Sequence, residues 1–137
     1  MLCEQVFQQI ARCYQPTIDL FASRTTAQLS RYVSFYPDCQ AQWTNAFSRS
    51  WQGELPYIFP PTILLIRVLQ KIYYERIRAV IVAPYWPQQT YFVTLQQMAV
   101  EAPWILPRKW DLVLCEKTNN PHPLAERLEL AVWLVQG

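Results

Sequence analysis

The feature that most constrains this chain is a pair of apolar segments that each stop at proline, with a helical pattern between them. Tyr57-Ile58-Phe59 runs into Pro60-Pro61-Thr62, and Ala79-Val80-Ile81-Val82-Ala83 runs into Pro84-Tyr85-Trp86. Between them Leu64, Leu65, Val68, Leu69 and Ile72 recur at helical spacing, with Arg67, Gln70, Lys71 and Tyr74 on the opposite face. Pro61 suits the first turn of that helix, which is expected to run to about Arg76. Strand, helix, strand is the repeating unit of a parallel α/β sheet, whose ligands sit beyond the carboxyl ends of its strands. The run 79–83 is apolar on both sides, as a central strand covered on both faces requires.

The flanking sequence extends the pattern. Leu2, Val6, Ile10 and Cys13, with Phe7 and Tyr14 beside them, predict a helix over 2–14 that Pro16 stops. Ile18–Ala22 reads as a buried strand. Ser23 or Thr25 can cap a short helix through Arg31, and Tyr32–Tyr36 alternates as a second strand. Residues 39–51 read as polar and irregular. A further helix is expected over 88–100, with Phe92, Leu95, Met98 and Ala99 inward. Trp104–Leu106 and Leu112–Cys115 are short strand candidates, and Lys117–Leu124 is a loop. Leu128–Val135 reads as a last strand with Leu128, Leu130, Val132 and Leu134 on one face, or as following a helix that starts at Ala125. The sum is one α/β domain over residues 1–137: three layers, a mainly parallel sheet and helices on both faces.

Composition narrows what such a domain can do. At 52% hydrophobic and 16% charged residues the chain folds compactly, and a net charge of +2 gives no general attraction to nucleic acid. Only Gly53 and Gly137 are glycine, so neither a G-x-G-x-x-G loop nor a P-loop can form. Cys3, Cys13, Cys39 and Cys115 make no C-x-x-C pair and the one histidine, His122, is remote from them, so no metal site is expected. Reduced thiols, no secretory pattern and no long apolar run point to an intracellular protein without a membrane span.

The residues with chemical potential are few. Asp19 interrupts an apolar strand, where a carboxylate must find partners; it either serves a ligand or binds nearby backbone amides. Tyr85-Trp86 either forms a platform for stacking bases or plugs the end of the sheet. Arg24, Arg31, Arg49 and Arg67 either gather into a phosphate-binding patch or stand as scattered, balanced charges. No histidine is placed to activate Ser48 or Ser50, and Asp19 with Asp38 lacks the further carboxylates that metal-assisted nuclease chemistry needs.

Several segments in order carry a resemblance. Val6-Phe7-Gln8-Gln9-Ile10, Ile18-Asp19-Leu20-Phe21-Ala22-Ser23, Ala27-Gln28-Leu29, Asn45-Ala46-Phe47-Ser48-Arg49-Ser50-Trp51, Tyr57-Ile58-Phe59-Pro60-Pro61, the stretch from Ala83 to Phe92, Pro103-Trp104-Ile105-Leu106-Pro107 and the tail from His122 to Gly137 together resemble a region of DIRS-type (tyrosine-recombinase) retrotransposon polyproteins, downstream of reverse transcriptase and RNase H. That region is itself similar to phage-type DNA N6-adenine methyltransferases. The resemblance implies a degenerate, Rossmann-like methyltransferase fold, DNA or RNA as a partner, and the polyprotein's reverse transcriptase and RNase H domains as neighbours. It implies that Asp19, Phe21 and Ser23 stand where S-adenosylmethionine is held. It also implies that Phe59, Pro60, Pro61 and Thr62 stand where an Asn/Asp-Pro-Pro-aromatic tetrapeptide grips a flipped adenine. Here Phe59 replaces the polar acceptor and Thr62 the stacking ring. The expectation is a scaffold without methyl transfer and without a cofactor, acting structurally or on nucleic acid. The alternatives are an active S-adenosylmethionine-dependent methyltransferase and a pure protein-interaction domain.

Overall fold

The computed structural model describes residues 2–106 and 129–137. Its centre is a seven-stranded sheet in the order β3-β2-β1-β4-β5-β7-β6. The strands are β1 (Ile18–Ala22), β2 (Tyr32–Ser34), β3 (Trp43–Thr44), β4 (Pro56–Ile58), β5 (Arg78–Pro84), β6 (Trp104–Ile105) and β7 (Leu130–Gln136). The helices are α1 (Glu4–Tyr14), α2 (Leu65–Glu75) and α3 (Thr90–Met98). The sheet is mixed: four neighbouring pairs are parallel, and β7 runs antiparallel to both β5 and β6. An apolar run says that a strand is buried but not which way it points, so the residue pattern left the direction of β7 open.

Alternation along β5 divides the core. Ala79, Ile81 and Ala83 join one buried cluster with Leu65, Val68, Leu69 and Ile72 of α2 and Phe92 and Leu95 of α3. Val80 and Val82 join a second cluster with Leu2, with Val6 and Ile10 of α1, and with Leu130 and Val132 of β7. The period of two along a strand places these sets on opposite faces. Each buried aliphatic of this size contributes about 1.5–3 kcal/mol, so the α2 stripe holds its face of the sheet firmly. The helix ends obey local chemistry. Gln15 and Arg76 adopt left-handed backbone at φ 52° and 54°, and their amides return to carbonyls of the preceding turn.

Local expectations failed where side chains outcompeted a regular backbone. No helix succeeds β1. Ser23 N donates to Thr26 Oγ1 at 2.8 Å and Thr26 N to Ser23 Oγ at 3.3 Å, and these bonds turn the chain on itself. Residues 39–51 are ordered as β3 and a 3-10 turn (Ala46–Ser48) capped by Asn45. Cys13, expected inward, is exposed. The helix after Pro61 opens as a 3-10 turn (Thr62–Leu64) before α2. The readings at 112–115, 117–124 and 125–128, and His122 and Cys115, lie outside the described residues. Among those described, no helix is long and apolar enough to cross a membrane, and no cluster of three or more His, Cys, Asp or Glu side chains is present.

Candidate functional site

The order β3-β2-β1-β4-β5 reverses direction between β1 and β4, and a crevice forms at such a switch point, beyond the carboxyl ends of the strands. A cavity of about 540 Å³ lies there. Its walls are the segments that leave three parallel strands: Phe21–Thr26 after β1, Ser34–Asp38 after β2, and Phe59 with Pro61 after β4. A smaller cavity of about 240 Å³ adjoins it, bounded by Phe21, Thr26, Gln28, Tyr57, Phe59, Pro60 and Pro61. The structure thus brings Phe21, Ser23, Phe59, Pro60 and Pro61 together at one edge. Thr62 and the Tyr85-Trp86 pair line neither cavity. Tyr85 is turned into the core, stacked on Trp133 at 6.4 Å and edge-on to Phe92 at 5.0 Å. Only Trp86 of that pair is exposed.

Asp19 lies beneath this edge and is 2% exposed. Its Oδ2 accepts the Gln28 amide at 3.0 Å, so part of its role is to tie down the chain after the β1 turn. Among the described residues its Oδ1 has no hydrogen-bond partner, and neither has the hydroxyl of buried Tyr57. Burial pushes the Asp19 carboxyl up to about 6, against the opposing pull of the Gln28 and Phe21 amides. Burial also pushes the Tyr57 phenol well above its usual range, and the charge on Asp19 adds to this.

At the other wall Asp38 is fully engaged. It accepts bonds from the Tyr32 hydroxyl, from Arg24 at 2.9 Å and from the Gln40 amide at 2.9 Å. These donors hold its carboxyl down at about 2. The four arginines do not form one patch. Arg24 pairs with Asp38 and Arg31 with Glu54, whereas Arg49 and Arg67 lie over aromatic rings.

These observations bear directly on S-adenosylmethionine. A nucleoside needs free amides in the turn after β1 and an acceptor for its ribose hydroxyls at the end of β2. The turn has side chains at every position, and its Ser23 and Thr26 amides bond within the turn. The one acid at the end of β2 is neutralised by Arg24. The Phe59 side chain offers no acceptor for an amine. Sequence reasoning missed Arg24, Phe35 and Tyr36 as cavity residues. The available signal was their position, since the segments leaving the parallel strands of one sheet all emerge at the same edge. Compared with known proteins, the chain matches no family model and no curated sequence.

Proposed function

We propose that this chain is a catalytically inactive, methyltransferase-like module of a retrotransposon polyprotein, accompanying reverse transcriptase and RNase H and contacting nucleic acid. The observation that carries the inactivity is Phe59: the benzyl side chain lines both cavities at the end of β4, where adenine chemistry needs a hydrogen-bond acceptor. The three-layer, Rossmann-like reading is supported by the switch point between β1 and β4 and by core clusters on opposite faces of β5. The polyprotein context rests on the run of matching segments alone.

Calorimetric titration with S-adenosylmethionine tests the reading, together with a methyl-transfer assay on adenine-containing DNA. The expected result is neither saturable binding nor transfer. Micromolar binding with transfer that disappears in Pro60→Ala would establish the rival, an active methyltransferase, for which the 540 Å³ cavity is the favouring observation.

A further inference from the structure

Of the basic side chains among the described residues three are ion-paired, and Arg12, Arg49, Arg67, Arg76 and Arg78 are not. Arg24, Arg31 and Lys71 each hold a carboxylate, Asp38, Glu54 and Glu75 respectively. Arg49 and Arg67 have no ion pair among the described residues. Both are exposed, and each guanidinium lies over a ring: Arg49 at 5.7 Å from the centre of Trp43, and Arg67 at 4.1 Å from that of Phe47. A guanidinium stacked on a ring is positioned in advance while its edge donors stay available. Glu75, the carboxylate bonded to this region, does not offset them. It is occupied by Lys71 at 2.7 Å, by the Ser50 hydroxyl at 2.8 Å and by the Trp51 amide at 2.6 Å.

Phe47, the ring beneath Arg67, belongs to a row of ring contacts that reaches the large cavity. Trp51 meets Phe47 at 5.9 Å, Phe47 meets Phe21 at 5.7 Å, and Phe21 meets Phe35 at 5.9 Å. At the cavity rim Phe35 is 52% and Tyr36 83% exposed, an unusual degree for large rings beside a pocket. Arginines stacked on rings, with open rings at the cavity rim, have the two components of a single-strand site: cations for phosphates and π-faces for bases. A paired base hides its face in the duplex stack, so open rings favour unpaired strands.

We infer that Arg49 and Arg67, with Phe35 and Tyr36 at the cavity rim, form a binding surface for single-stranded nucleic acid, phosphates on the arginines and bases on the rings. This rests on the nucleic-acid-contacting role proposed above and assigns it to one surface. The test is fluorescence anisotropy of labelled oligothymidylate at several salt concentrations. Removing both arginines (Arg49→Ala with Arg67→Ala) is expected to weaken binding about tenfold or more, and to flatten the slope of log K against log salt by about 1.4, at about 0.7 per phosphate lost. The double lysine variant keeps the charge and the slope but binds less tightly. It also keeps the test decisive if the alanine pair fails to fold, as circular dichroism would reveal. Phe35→Ala with Tyr36→Ala weakens binding about tenfold without changing the slope. Arg12→Ala, on exposed α1 surface, changes neither.

Unchanged affinity and slope in the arginine variant, or an equal loss in Arg12→Ala, overturns the assignment. So does a duplex that binds as tightly as the single strand, or an acidic peptide that competes as well as the oligonucleotide. If the unaltered protein binds and the arginine variants bind as tightly, this surface is wrong and the proposed function stands. If the unaltered protein binds no nucleic acid, both fall.

Discussion

Replacing Asp19 by asparagine isolates the one charged side chain buried among the described residues. The carboxyl sits at about 6 in the folded chain against an ordinary 3.8. A shift of roughly two units at about 1.4 kcal/mol each puts the penalty for burying the ionised form near 3 kcal/mol. The sign comes from the proton count. Between 3.8 and about 6 the folded state holds more protons than the unfolded one, so this group's contribution to stability falls as pH rises through that window and is constant above it. Asparagine keeps an oxygen for the Gln28 amide and removes the buried charge. Asp19→Asn should therefore match the unaltered protein below the window and exceed it by about 1–3 kcal/mol above, the range allowing for imperfect amide geometry. Urea denaturation of both proteins across the window measures this. Groups common to both, Asp38 above all, cancel in the difference. A variant destabilised at neutral pH, or a difference independent of pH, would refute the account and mean that the buried carboxylate already grips a donor.

Four further tests address the frame. Trp51→Phe removes the indole N–H that donates to the Ala46 carbonyl at 2.8 Å in the buried core, and should cost about 2–3 kcal/mol in chemical denaturation. Arg76→Gly relieves left-handed backbone at the end of α2 and should stabilise by about 0.5–1 kcal/mol, seen as a higher melting temperature. Gly53→Ala meets nothing within 4 Å, so its expected cost of about 1 kcal/mol comes from φ 83° alone. Asp38→Asn should flatten the acid limb of the stability profile. The stabilisation that the ionised carboxylate provides is present above 3.8 and lost as pH falls toward about 2.

Much of the frame was legible because periodicity reports burial. The stripe Leu65, Val68, Leu69 and Ile72 and the two-sided burial of β5 are as patterned, whereas β7, read with one apolar face, is buried on both. The site was legible only in part. Phe59, Pro60 and Pro61 announce the end of a strand, and Asp19 announces a polar atom in an apolar place, but neither names the residues across from it. Arg49 and Arg67 look like Arg24 and Arg31 in the sequence; only the folded chain shows that two have carboxylate partners and two lie on rings.

By itself the sequence determined that α1, α2, α3 and β5 form and which side of α2 is covered, because those depend on residue spacing along one element. It also excluded glycine-dependent phosphate loops, because a Cβ closes that backbone region whatever surrounds it. Tertiary structure alone decided the antiparallel insertion of β7, the turn in place of a helix after β1, and the meeting of three strand ends around one cavity. These depend on contacts between residues far apart in the chain, and strand direction, ion pairing and enclosed volume are properties of such contacts rather than of any local pattern.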